Sequence, residues 1–344
     1  MNDEVLTKDP RLDQKRARAA YLREWRKRNP DKVKAQNERR KAKRKEKAEA
    51  AQPIQTAQEQ NEPKRKEVTL PPQMTEREYR SHPAISRSEL WRMNESPEKF
   101  KWFKEHPLEP TPSLLFGQVV HKLLLQPESF REEFAVAPVA DRRTKAGREL
   151  YDEFSATVGE RTVVSHDDYD KALEMVTAVR LNPLAVKLLA GAKEVPFLWT
   201  DEDTGEQCKC RVDCLTEIDG QYYIVDYKST GNAQTEIFSN KDVFRYGYYF
   251  QSAMYSEGVM HGLDLTERPR FVFIAQEKTA PFAVNVIAVP DDVMLAGIDK
   301  YRELLGKYHE CRVMDYWPCY NGMGEMNEVL LPGWMALGVE EDDE

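Results

Sequence analysis

Cysteine is scarce and never spaced to hold a metal: five thiols stand in 344 residues, at Cys208, Cys210, Cys214, Cys311 and Cys319, with no Cys-x-x-Cys. An odd number without that spacing argues against zinc or iron-sulfur chemistry and for reduced thiols, so the expected location is the cytoplasm. Cys208, Cys210 and Cys214 alternate along one run and read as small buried apolar residues on a strand. No run of about 18 apolar residues occurs, so no membrane-spanning helix is expected. No basic-then-apolar leader opens the sequence either, so secretion is not expected. Internal repeats are missing. So is a glycine-rich loop with lysine, and with it any sign of coupling to ATP.

Charge is plentiful: charged residues make up 32% and apolar ones 40%, a balance that suits a folded domain with a core. Its distribution is uneven. The net charge is −8, yet residues 1–50 hold 18 Lys and Arg against 9 Asp and Glu, leaving −17 for the rest. The split predicts a basic arm over 1–50, helical or disordered, which either contacts phosphates or only solubilises. A Gln- and Pro-containing linker over 51–73, a folded domain over 74–335 and an acidic tail over 336–344 complete the expected organisation.

Within the domain, local signals predict helices first. Ser86-Arg87-Ser88-Glu89 is a capping box, Ser96-Pro97 and Thr111-Pro112 are N-cap and first-turn pairs, and the third helix runs to Leu125. Further helices are predicted over 167–180, from Asn182-Pro183 to near Gly191, over 243–260 and over 291–308. Strands are predicted over 193–199, 270–276 and 283–289, with Asp203-Thr204-Gly205 as a turn. Asp141 to Lys145 reads as a short basic loop in which Arg142, Arg143 and Lys145 are candidate phosphate contacts or a solvated turn.

The chemistry is concentrated in one hairpin. Asp219-Gly220 has the composition of a two-residue type I′ turn, and the run Tyr222-Tyr223-Ile224-Val225 leads into Asp226-Tyr227-Lys228. With Ile218 paired to Gln221, the register places Asp213 opposite Asp226, and cross-strand like charges repel. Lys228 leaves the same face as Asp226 because strand side chains repeat every two residues. A hard divalent cation such as Mg²⁺, bound by one or two carboxylates plus phosphate oxygens, completes the neutralisation. The competing reading is a surface hairpin with a salt bridge. Glu194 is either a third acid of the site or an ordinary edge-strand acid. Gly117 and His121 lie four apart on one helix face, Gly permitting close approach of another backbone, although a lone helical His is more often structural. Gln251 and Tyr255 likewise share a face.

Helices, then a three-strand meander with Glu194, Asp213 and Asp226-Tyr227-Lys228, then a helix and another strand: this order resembles the PD-(D/E)xK nuclease superfamily. It is similar in particular to the exonuclease VIII family of phage-type recombination exonucleases. The resemblance spans residue 80 to the end and includes Ser86-Arg87-Ser88-Glu89-Leu90, Phe116 to His121, Arg211-Val212-Asp213, Val225 to Lys228, Gln251 to Tyr255 and Leu331-Pro332-Gly333-Trp334. The sequence departs from the superfamily's name in one place, where Val212-Asp213 stands for the Pro-Asp pair.

The resemblance implies an α/β restriction-endonuclease-like core, a mixed central sheet flanked by helices with helical N-terminal additions. It implies that Asp213 and Asp226 bind metal with the Tyr227 carbonyl, that Lys228 orients or deprotonates the attacking water, that Glu194 is the acid of the preceding strand, that His121 touches a metal, and that Gln251 and Tyr255 abut the site. Arg211 joins Arg142, Arg143 and Lys145 as a candidate DNA contact. The implied activity is Mg²⁺-dependent exonuclease action on ends of linear double-stranded DNA, 5′ to 3′, releasing 5′-phosphate nucleotides, with Mn²⁺ as substitute. A ring-shaped homo-oligomer, a tetramer among the options, and a single-strand annealing protein are the implied partners; a membrane is not. The alternatives are an endonuclease of the same superfamily, an RNA nuclease, or a catalytically idle DNA-binding accessory protein.

Overall fold

The computed structural model describes residues 69–320 together with 326, 328 and 329. The expected arm 1–50, most of the linker, most of 321–335 and the acidic tail 336–344 lie outside the described residues. In chain order the elements are α1 (Glu76–Ser81), β1 (Ile85–Ser86), α2 (Arg87–Arg92), α3 (Pro97–Glu105), α4 (Pro112–Leu125), α5 (Phe130–Glu133), β2 (Phe134–Val136), α6 (Lys145–Val158), β3 (Thr162–Val164), α7 (His166–Arg180) and α8 (Pro183–Leu188). The meander β4 (Ala192–Thr200), β5 (Gln207–Ile218) and β6 (Gln221–Thr230) follows, then α9 (Thr235–Phe238), α10 (Tyr248–Leu263), β7 (Arg270–Glu277), β8 (Val284–Ala288) and α11 (Asp291–Met314).

The predicted caps form. Ser86 and Glu89 close a reciprocal capping box on α2, Ser96 caps α3 ahead of Pro97, Thr111 caps α4 ahead of Pro112, and Asn182 caps α8. Asp219 and Gly220 both adopt positive φ, 51° and 80°, as a type I′ turn requires. Two expectations about where helices start are corrected. The helix predicted from Val243 begins at Tyr248, because residues 239–243 form a π-turn and Gly247 is left-handed at φ 68°. A Cβ at Gly247 would also lie 2.6 Å from the Trp91 ring, so only glycine fits there. The Asp141 to Lys145 loop continues into α6, a helix the sequence reading did not separate from it.

The main sheet is mixed and six-stranded, ordered β1-β5-β6-β7-β8 with β4 on β5; a parallel pair, β2 and β3, stands apart. One sheet face packs on α2, α3, α10 and α11 through Leu90, Met93, Phe100, Phe250, Met254, Tyr301 and Leu305. The opposite face packs on α4, α7 and α8 through Val119, Val120, Leu123, Met175, Val176 and Leu188. This is a central sheet between two helical layers, an α/β restriction-endonuclease-like core in agreement with the expected fold class.

Two features of the sheet build the site. β4 runs along one edge of β5 from Gln207 to Leu215, so the other edge is divided: β6 takes Cys214 to Ile218 and the two-residue β1 takes Cys208 and Lys209. β5 and β6 therefore part beyond Cys214 and Val225, leaving a fork. The second feature is a change of phase. Cys208, Cys210 and Val212 face the α10 side, whereas Cys214 faces the α4 side and Leu215 the α10 side again. On β4, Val195, Phe197 and Trp199 share a side with Ala192, so its alternation breaks at the same level. The three cysteines thus do not share one face, contrary to the strict alternation expected of them. The break falls on Glu194 and Asp213, and Glu194 has φ 51°.

Candidate active site

The expected register holds from Ile218 with Gln221 to Cys214 with Val225, and the ladder stops one pair short of Asp213 and Asp226. The two acids are therefore not a regular cross-strand pair. Asp213 Oδ2 accepts the Tyr227 amide at 2.8 Å, replacing the ladder bond that the fork removes. Asp226 and Lys228 alternate with Val225 and Tyr227, which pack on the α4 side, so the acid and amine leave on the α10 side. There Lys228 Nζ lies 2.6 Å from Asp226 Oδ2, and Gln251 of α10 donates to Asp226 Oδ1. Asp226 is 1% exposed, so its contacts are made inside the protein and not to solvent.

From the other side α4 approaches β6 at Gly117, where a Cβ would stand 3.2 Å from Ser229 Oγ. One turn on, His121 Nε2 reaches Asp213 Oδ2 at 3.1 Å and Glu194 Oε1 at 3.6 Å. The left-handed backbone at Glu194 is uncommon for a residue with a β-carbon and costs on the order of 1–3 kcal/mol. Arg211 Nε holds Glu194 Oε2 at 2.8 Å while its Nη2 pairs with Glu76 of α1. Glu194 Oε1 is left sealed from solvent with no hydrogen-bond donor, and Asp226 Oδ2 likewise lacks a well-directed hydrogen bond.

The titration of these groups reflects crowding. Burial opposes charge on His121, but Asp213, with Glu194 and Asp226 beyond, overrules it and raises the imidazole to about 9. Burial lifts Glu194 to about 7 against the pull of His121. Burial also lifts Asp226 to about 6, partly offset by Lys228. Asp213 is lowered, since His121, Lys228 and the Tyr227 amide outweigh its burial. Lys228 resists burial and is raised by Asp226. A protonated His121 thus serves as the internal cation of a cluster of three acids.

Ligand atoms of His121, Glu194 and Asp213 all lie within 4.8 Å of one another. Two carboxylates and an imidazole, with an orphaned buried oxygen on Glu194, suit a divalent ion of the Mg²⁺ to Mn²⁺ range. Asp226 is outside that closest set but near enough that its charge acts on both His121 and Asp213.

The remaining candidates divide. Tyr227 sends its ring to the opposite core, where its hydroxyl donates to Gln276 Oε1 at 2.7 Å. Tyr255 packs against Phe271; burial, then Tyr79 and Asp226, hold its hydroxyl protonated, and no bond joins it to the acids. Arg211, a candidate DNA contact, is engaged by two acids, Glu76 and Glu194. Arg142 stacks over Tyr151 at 4.1 Å, Arg143 pairs with Asp141 at 3.0 Å and Lys145 with Glu149 at 3.6 Å, all within their own loop and helix. None of the three touches the acids. Sequence reasoning gave no role to Tyr248, whose ring centroid lies 4.7 Å from Lys228 Nζ, or to Arg87, whose Cζ lies 5.7 Å from the same ring. The only signal for Arg87 was its place as the first residue after a helix cap.

No curated protein matches the chain. Among solved structures, it is similar to a "putative exonuclease" from Eubacterium rectale, with 16% identity, a TM-score of 0.49, and coverage of 78% of this chain and 99% of that one. A weaker likeness is to the protein SSO0001, with 13% identity, a TM-score of 0.24, and coverage of 57% and 83%. Residues 86–328, which contain His121, Glu194, Asp213, Asp226 and Lys228, match the family described as "PDDEXK-like domain of unknown function (DUF3799)", and the chain belongs to that family.

Proposed function

We propose that the protein is a metal-dependent nuclease acting as an exonuclease on ends of linear double-stranded DNA. The observation that carries the reading is the convergence of His121, Glu194 and Asp213 on one point, with the Asp226 and Lys228 pair beside it. Exonuclease action, 5′ to 3′ polarity, release of 5′-phosphate nucleotides, a ring-shaped homo-oligomer and an annealing partner rest on the resemblance to the exonuclease VIII family.

His121, Glu194 and Asp213, with Asp226 alongside, are the residues that would hold Mg²⁺ or Mn²⁺. Such an ion supplies charge neutralisation at the phosphate and acidifies a bound water. The protein's own groups prepare that place. Gln251 ties down one oxygen of Asp226, the Tyr227 amide fixes Asp213, and Arg211 fixes Glu194, so each acid presents a defined face. Lys228, held charged by Asp226, is placed to orient a water and to stabilise charge developing on phosphate oxygens. His121 must surrender its proton to become a ligand, so loading of the site releases protons.

The test incubates end-labelled linear duplex and covalently closed circular duplex with Mg²⁺ or Mn²⁺, and with chelator. Acid-soluble label from linear DNA alone, abolished by chelator, supports the proposal. Cutting of circles would make it an endonuclease, and retention of both DNAs without degradation would leave only a binding role.

A further inference from the structure

Among the described residues Arg87 makes no ion pair. It opens α2 directly after β1, the strand that fills the gap between β5 and β6, and so stands beside the fork. Its guanidinium is packed between two rings, with Cζ 5.8 Å from the Trp91 centroid and 5.7 Å from that of Tyr248. Nη2 donates to the Tyr246 carbonyl, while Nε is sealed from solvent and meets no acceptor. Among the described residues no carboxylate lies within ion-pair distance. Burial works against the charge on Arg87, and Tyr255, Tyr248 and Asp226 support it, Asp226 being already engaged by Lys228 and Gln251. Arg87 is half-buried, with one sealed N–H and no paired carboxylate among the described residues, an arrangement that an anion arriving from outside would complete.

The surroundings say what kind of anion. Lys228 and Arg87 both lie against the Tyr248 ring, at 4.7 and 5.7 Å from its centroid, and Lys228 is paired with Asp226. A planar guanidinium is matched to tetrahedral oxyanions, which accept two parallel hydrogen bonds from it. We propose that Arg87 binds a phosphodiester of the nucleic-acid strand held at Asp226 and Lys228, through a nonbridging oxygen. This deepens the nuclease reading and rests on it for the identity of the ligand. A purely structural role is the rival, because Arg87 and Trp91 also clamp the Tyr246-Gly247 segment ahead of α10.

The two are separated by a cycle of protein and substrate changes. Parent and Arg87→Met are given duplexes in which single linkages near one end are replaced, one at a time, by uncharged methylphosphonates. Single-turnover cleavage is followed with Mg²⁺, and equilibrium binding with chelator. The expected result is one linkage whose neutralisation costs the parent ~10- to 100-fold and costs Arg87→Met almost nothing further. Equal losses for both proteins at every linkage would overturn the proposal, however slow the variant. Arg87→Lys keeps the charge and stands in if the methionine variant does not fold; it should retain part of the sensitivity at that same linkage. A parent that cleaves nothing would count against the nuclease reading, while the cycle read from binding would still decide the role of Arg87.

Discussion

His121 Nε2 and Asp213 Oδ2 meet at 3.1 Å although one is carried by a helix on a single face of the sheet and the other by a strand at the point where its alternation breaks. The contact joins the α4 layer to the fork, and in the metal-free protein the proton on His121 stands where a cation would. Replacing the ring by an amide, His121→Gln, should weaken Mn²⁺ binding at least ~10-fold, the range expected when a metal site loses one supporting group. Mg²⁺, which gains less from nitrogen ligands, should lose less. Titration calorimetry with each ion checks this, and equal affinity of parent and variant for Mn²⁺ would remove His121 from the ligand set.

Stability of the metal-free protein should fall as pH rises. His121 is raised to about 9 in the folded state, so its contribution is complete below the unfolded value of 6.5 and is lost as pH climbs through about 9. Glu194 and Asp226, raised to about 7 and about 6, act in the same direction at lower pH, since folding favours their protonated forms. Thermal unfolding with chelator should therefore show a declining Tm from pH 6.5 to 9, flattened in His121→Gln and reversed by added Mn²⁺. A Tm that rises over that interval without metal would contradict the arrangement.

Lys228→Ala should leave the fold intact and reduce cleavage by ~10²- to 10⁴-fold, the usual range for a group that moves or orients a proton. Asp226→Asn should be at least as damaging, because the neutral amide no longer balances Lys228 or a bound cation. Release of acid-soluble nucleotides under single-turnover conditions reads both. A Lys228→Ala protein as fast as the parent would end the proposed mechanism.

Gly247→Ala combines a left-handed φ of 68° with a Cβ 2.6 Å from the Trp91 ring. The variant should lose about 1–3 kcal/mol of stability. Since the segment sets the start of α10, and with it Tyr248 and Gln251, activity should fall with it. Denaturant unfolding measures the first, and unchanged stability would show that Trp91 can move away.

What the sequence disclosed was chemistry that acts over three or four residues. The boxes at Ser86, Ser96, Thr111 and Asn182 and the turn at Asp219-Gly220 were legible because each satisfies its own backbone groups locally. Asp226 and Lys228 could be placed together because strand period is fixed, and Gly117 with His121 because helix period is. The rest depends on contacts between distant segments. β1 is two residues long and exists only because β5 offers it half an edge; no run of two residues announces a strand. Glu194 and Asp213 break a period of two that sequence reading assumes throughout. Arg87 and Tyr248 meet across 161 positions, as read from their numbers, with nothing in either neighbourhood to link them.

The coupled change of phase in β4 and β5 has a consequence for how this hairpin can tolerate altered length. The two strands keep one register above and below the break, Thr200 to Val195 with Gln207 to Val212 and Ala192 with Leu215, because both shift at the same level. Removing a residue from either strand there would turn every later side chain of that strand inside out against an unshifted neighbour. Taking out Glu194 and Asp213 together would restore plain pleating and an intact ladder. Lineages that shed the chemistry should therefore be recognisable by matched single-codon losses in both strands, with the apolar residues on the two sheet faces around them untouched.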